Sequence, residues 1–152
     1  MQNPNQFSQS VEKGQLDLKY NGLVLSCIVA SGETLVPGMG VKLKDVAGKG
    51  ISIEALDADT DNAFGVVAYN TKEASYSGLD AVEIAAQGSV VQMEASAAIA
   101  RGAQVMPVIT GEKVATATSG KTVIGVALDK AAADGDLIRV LLSTDGSAKL
   151  AA

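Results

Sequence analysis

With 152 residues and a mass of 15.4 kDa, the chain suits one compact domain and has no room for two of full size. Its formal net charge of −5 and pI near 4.6 argue against nucleic acid or an anionic membrane as the main partner. The absence of His removes Ser-His-Asp and Cys-His catalysis, and the single cysteine, Cys27, excludes an intrachain disulfide and a Cys-rich zinc site.

The first stretch, Met1–Gln15, is polar and carries single apolar residues at Phe7 and Val11. It has no basic region followed by an apolar run, so no signal peptide is expected and synthesis in a cytosol-like compartment is. We read residues 1–15 as a flexible arm, either a frayed terminus, the commoner fate of such segments, or an arm that docks on a neighbouring molecule through Phe7, residues 16–145 as one β domain, and residues 146–152 as a C-terminal tail. Two buried anchors contribute roughly 1.5–3 kcal/mol each. Ordering the arm costs roughly 1–2 kcal/mol per residue, so backbone pairing with a neighbour's sheet edge has to supply the rest. Pro4 cannot donate to such a ladder, so pairing begins after it.

From Leu16 onward the chain is a series of short Val/Ile/Leu runs punctuated by Gly, Asp and Asn. Strands are expected at Leu23–Ala30, Gly40–Lys44, Ile51–Leu56, Phe64–Tyr69, Ala81–Ile84, Ser89–Glu94, Gln104–Val108, Lys113–Ala117, Val123–Leu128 and Leu137–Ser143. That spacing points to an all-β sandwich or barrel. One helical signal stands out, the Ala-rich Ala95–Arg101 with Gly102 placed as its C′ residue. With 24 alanines in the chain, apolar burial yields less than usual at ~25 cal/mol per Å², and subunit burial is a natural supplement.

The sequence also resembles itself. Leu35–Val41 is similar to Ile99–Val105, Phe64–Ala68 to Ile124–Leu128, and Ser77–Ile84 to Asp134–Val140. The offsets shrink from 64 through 60 to 56–57, which reads as two similar β-units closing a pseudo-symmetric barrel.

No chemical motif is complete. Gly120-Lys121-Thr122 matches the end of a phosphate-binding loop, but Ala115 stands where the first glycine belongs, and a β-rich run follows instead of a helix. Asp57, Asp59 and Asp61 match the start of a calcium loop, which fails at Asn62 and Ala68. Asp134 and Asp136 flank a turn glycine, where carboxylates usually bond backbone amides. Cys27 lies in an apolar run and reads as a buried, inert thiol. No catalytic residue, metal or cofactor is expected.

The order of the punctuated segments is more specific than their chemistry. Leu35–Leu43, Ala63–Asn70, Asp80–Ile84, Gly88–Ala95, Ile99–Val105, Gly125–Ala131 and Gly135–Leu141 together resemble the capsid decoration (cement) proteins of tailed bacteriophages, over about residues 20–143. The resemblance implies a small pseudo-symmetric β-barrel or β-tulip-like domain, here with one short helix and an extended N-terminal arm. It implies a non-enzymatic structural protein, made in the bacterial host cytoplasm and bound to the outer capsid surface of the virion. Its partners would be the major capsid protein and itself, as a homotrimer at three-fold and quasi-three-fold positions, with no nucleic acid and no membrane. The arm residues Pro4, Phe7 and Val11 are the expected capsid contacts. A trimer that binds the assembled lattice and not free subunits stabilises the head by mass action. Two alternatives stay open: a P-loop nucleotide-binding accessory enzyme of recombinase type, and an oligomeric tail or baseplate β-module.

Overall fold

All ten expected runs form strands, and two further pairs of residues join them. The computed structural model describes residues 12–17, 22–70, 73–109, 112–147 and 149–152. In chain order the strands are β1 (Val24–Val29), β2 (Thr34–Leu35), β3 (Gly40–Leu43), β4 (Ser52–Ala55), β5 (Gly65–Val67), β6 (Tyr76–Ser77), β7 (Ala81–Ala85), β8 (Val90–Ala95), β9 (Gln104–Pro107), β10 (Lys113–Thr116), β11 (Gly125–Ala127) and β12 (Leu137–Leu142). The alternation read from the sequence sets their faces. In β7, Val82 and Ile84 are buried while Ala81 and Glu83 are exposed; in β12, Ile138, Val140 and Leu142 point inward.

Each half of the chain closes its own five-stranded barrel, so the two units do not share one barrel as expected. The first runs β1-β4-β3-β5-β7 and back to β1; the second runs β8-β10-β9-β11-β12 and back to β8. The pairing types match one for one. The β1–β4 and β8–β10 contacts are parallel, and every other contact is antiparallel. Registers match as well: Cys27 faces Val82 as Met93 faces Ile138, and Val29 faces Ile53 as Ala95 faces Val114. Gly65 and Gly125 fill the same place. A Cβ there would lie 2.3 Å from the carbonyl oxygen of Ala85 or of Leu141, so only a residue without one lets the neighbouring strand approach.

The expected helix does not form; the described residues contain none. Ala95 is the last residue of β8, the Ser96 N–H donates to the Val114 carbonyl at 2.9 Å, and buried Ile99 pairs with Ala131. Seven residues cannot nucleate a stable helix alone, and Ile99 gains more by entering the core.

Two apolar cores form, one inside the first barrel around Val29, Leu35, Ile53, Val67 and Ile84, and a larger one in the second barrel that reaches across the boundary. Leu56, Ala63, Val66 and Ala85 of the first barrel pack into the cluster formed by Met93, Ile99, Ile124, Ile138 and Leu142 of the second. Polar bonds cross the same boundary: buried Thr122 donates its N–H to the Asp59 carbonyl at 2.8 Å and its hydroxyl to the Asp61 carbonyl at 2.6 Å. Residues 14–17 lie antiparallel along β8, with Leu16 opposite Val91. At the other end Leu150 pairs with Thr122, and the Gly146 N–H donates to the Ala63 carbonyl.

Candidate functional site

Duplication supplies an internal control: wherever the barrels differ at matching positions, the fold itself does not demand the difference. The turn before β7 and its counterpart before β12 make the case. In the first, the Leu79 N–H donates to the Val29 carbonyl at 2.7 Å, Asp80 N–H to the Ser77 carbonyl, and Ser77 N–H to the Asp80 carboxylate at 2.8 Å. In the second, the Gly135 N–H donates to the Ala95 carbonyl at 2.8 Å, and Asp136 accepts from the Ala132 and Ala133 amides. Gly135 has φ +93° and Leu79 φ +70°. A left-handed conformation suits glycine and is costly for leucine, yet Leu79 holds it with 76% of its surface exposed.

Leu79 is not alone. Ile28 and Val46 are 39% and 53% exposed, and together the three line a shallow recess of about 170 Å³ at one end of the first barrel. Residues 44–51 between β3 and β4 supply Val46; the matching connection between β9 and β10, residues 108–112, is three residues shorter. The matching surface of the second barrel is charged. Glu94 stands where Ile28 does, and Lys113, where Ser52 does, holds Asp134 at 2.6 Å. That hydrogen bond raises the Lys113 pKa. One barrel thus shows an apolar end with a strained turn, and its copy a charged, solvated one.

The residues weighed from the sequence are engaged elsewhere. Asp61 accepts from the Asp57 and Ala58 amides, both at 3.0 Å, and from Lys42 Nζ at 2.9 Å. Burial alone would raise its pKa; the Lys42 bond and the two amides override it and hold the carboxyl at about 2. Lys42 also reaches Asp57, and Asp59 pairs with Lys121 at 2.9 Å. The acidic loop is therefore cross-linked to cations, and among the described residues no cluster of acidic, Cys or His side chains is arranged to hold a metal. Gly120 and Lys121 form a turn with no helix after it. Asp129 takes a two-pronged bond from Arg139, both distances 2.9 Å, which holds its pKa at about 2. Cys27 is buried, and burial pushes its thiol up to about 11. Pro4, Phe7 and Val11 lie outside the described residues. Sequence reasoning missed Ile28, Val46 and Leu79. The self-comparison matched Ser77–Ile84 to Asp134–Val140 at offsets of 56–57, which left open whether Gly78 or Leu79 answers to Gly135; the turn's hydrogen bonds assign Leu79.

Comparison with known proteins bears on this arrangement. The family model described as phage cement protein matches residues 20–142. No curated protein matches the chain. A solved crystal structure, the N base of the head fiber gp8.5 in bacteriophage phi29, is similar at a TM-score of 0.57 and 15% identity, covering 80% of this chain and 95% of that one. At that identity the likeness is one of fold.

Proposed function

Because the chain belongs to the phage cement protein family, and is thereby a structural protein of the phage head, we propose that it binds the outer surface of the assembled major capsid lattice as homotrimers at three-fold and quasi-three-fold positions. The family match over residues 20–142 carries this reading. Its site is the apolar end of the first barrel, with Leu79, Ile28 and Val46 facing the capsid. Burying one such side chain is worth roughly 1.5–3 kcal/mol, about a tenfold to hundredfold change in affinity. A protein that binds the lattice and not its free subunits shifts the equilibrium toward the intact head. Synthesis in the host cytoplasm and assembly onto the finished shell complete the reading.

The test adds purified protein to expanded, undecorated heads and, separately, to purified tails. Saturation near one copy per capsid subunit, with no sedimentation on tails, is expected. Leu79→Asp should weaken head binding at least tenfold. Equal binding to tails would replace this reading with a tail or baseplate role, and saturation far from one copy per subunit would rule out full occupancy of the three-fold sites.

A further inference from the structure

In the second barrel, β8 meets β10 only at Glu94 and Ala95, so its first half has a side open to another strand. Residues 14–17 take it. Gly14 N–H donates to the Gln92 carbonyl at 2.7 Å, Asp17 N–H to the Val90 carbonyl at 2.8 Å, and Gln92 N–H to the Gln15 carbonyl at 2.8 Å. Leu16, opposite Val91, packs against the core, and Ser89, Val90 and Val91 are buried.

β1 is the counterpart of β8, and it meets β4 only at Ile28 and Val29. The pairs Leu25–Ile84 and Cys27–Val82 bond across to β7, so Val24 and Ser26 turn their backbone groups the other way. Among the described residues, the Val24 carbonyl and the Ser26 amide and carbonyl have no backbone partner. Leu23 and Val24, at 46% and 39% exposure, stand where Ser89 and Val90 are buried. An apolar open edge of this kind is a template for another strand.

We propose that the β1 edge at Val24–Ser26 accepts an extended segment in the antiparallel register that residues 14–17 use on β8, and that this segment is residues 1–11 of a second copy of the chain. Phe7 then sits opposite Leu25, as Leu16 sits opposite Val91. Length permits it: eleven residues precede Glu12, enough to span roughly 35–40 Å extended, against a radius of gyration of about 15 Å for a domain this size. The pattern fits, since Gln6-Phe7-Ser8 places one apolar residue between two polar ones, as Gln15-Leu16-Asp17 does. Charge fits too. Residues 1–11 carry no charged side chain in a chain of net charge −5, so seating them near Glu83, the cross-strand neighbour of Ser26, adds no repulsion. Pro4 falls before Gln6–Ser8 and leaves that ladder intact. The contact joins copies of this chain and stands independently of capsid binding; it gives Phe7 to a neighbouring copy instead of to the capsid.

The experiment uses the full chain. Sedimentation velocity at tens of micromolar should show association for the native protein, weakened at least tenfold by Ser26→Pro. That change removes only the outward N–H, because β7 bonds to Leu25 and Cys27. Phe7→Asp, outside the barrels, should do the same and serves if Ser26→Pro fails to fold. In a Cys27→Ala background, copies carrying Ser8→Cys mixed with copies carrying Val24→Cys should form a disulfide-linked heterodimer on oxidation, at a spacing disulfides tolerate. A native monomer, association unaffected by a folded Ser26→Pro and by Phe7→Asp, or no heterodimer would each overturn the proposal. Because no heads are present, these outcomes are separate from success or failure of the capsid reading.

Discussion

Leu79 and Gly135 stand at the same point of two copies of one turn, each donating its N–H to the last residue of a matching strand, Val29 or Ala95, yet one is an exposed left-handed leucine and the other a glycine. Relieving the left-handed leucine returns roughly 1–2 kcal/mol, less the ~0.4–1 kcal/mol that glycine adds to the freedom of the unfolded chain. Leu79→Gly should therefore raise stability by about 0.5–1 kcal/mol, or the melting temperature by roughly 1–4 °C, while weakening attachment to heads at least tenfold. Calorimetry and head sedimentation on the same preparation check both signs.

Gly65→Ala and Gly125→Ala should each be destabilising, by about 1–3 kcal/mol for an overpacked contact with backbone, and by similar amounts. The approach of the neighbouring carbonyl is 2.3 Å to a would-be Cβ at both positions. Urea midpoints of the two variants measure this; an effect at only one would mean that the barrels bear strain unequally.

Acid should loosen the fold between about pH 4 and pH 2. Asp61 and Asp129 are held at about 2, below the ~3.9 of an unfolded aspartate. The unfolded chain therefore binds more protons in that window, and the stability these groups contribute is present above about pH 4 and lost as pH falls toward 2. Asp129→Asn removes the charge and one of the two acceptor oxygens that face Arg139, so it should lower stability at pH 7 and flatten the acid slope, as followed by denaturant midpoints against pH.

Cys27 should ignore thiol reagents in the native protein. It is 1% exposed, and its thiol is held up at about 11, so at pH 8 almost none is thiolate. Reaction with a chromogenic disulfide at pH 8 should appear only on adding denaturant. Rapid reaction without denaturant would mean that β1 opens in the native state.

The strands were legible because period-two alternation survives in runs such as Asp80–Ile84 and Asp136–Val140. β2 and β6, at two residues each, are too short to show a period. The helix expected at Ala95–Arg101 failed because alanine content is a local signal, and Ile99 answers to a distant partner, Ala131. Pairing order was not legible either. The parallel contacts β1–β4 and β8–β10 join strands that are not neighbours in sequence, and closure of each unit on itself follows from them. The apolar end formed by Ile28, Val46 and Leu79 draws on three separate segments, so no single window displays it. The self-comparison came nearest: its offsets of 56–57 leave Gly78 and Leu79 both eligible to match Gly135, and only the turn's hydrogen bonds and φ single out Leu79.

The segment along β8 also sets a schedule for synthesis. Gln15 leaves the ribosome some 75 residues before Gln92, its bonding partner; at roughly 5–20 residues per second that is a wait of about 4–15 s. Leu150 likewise closes on Thr122 only when the last residues emerge. The first barrel has all its own strands by Ala85, but the side of it that carries Leu56, Ala63 and Val66 has nothing to cover it until the second barrel is made. Nascent chains of this protein thus pass through a half-built stage with an apolar flank open to other nascent chains, and a ribosome pause placed before residue 90 would lengthen that exposure.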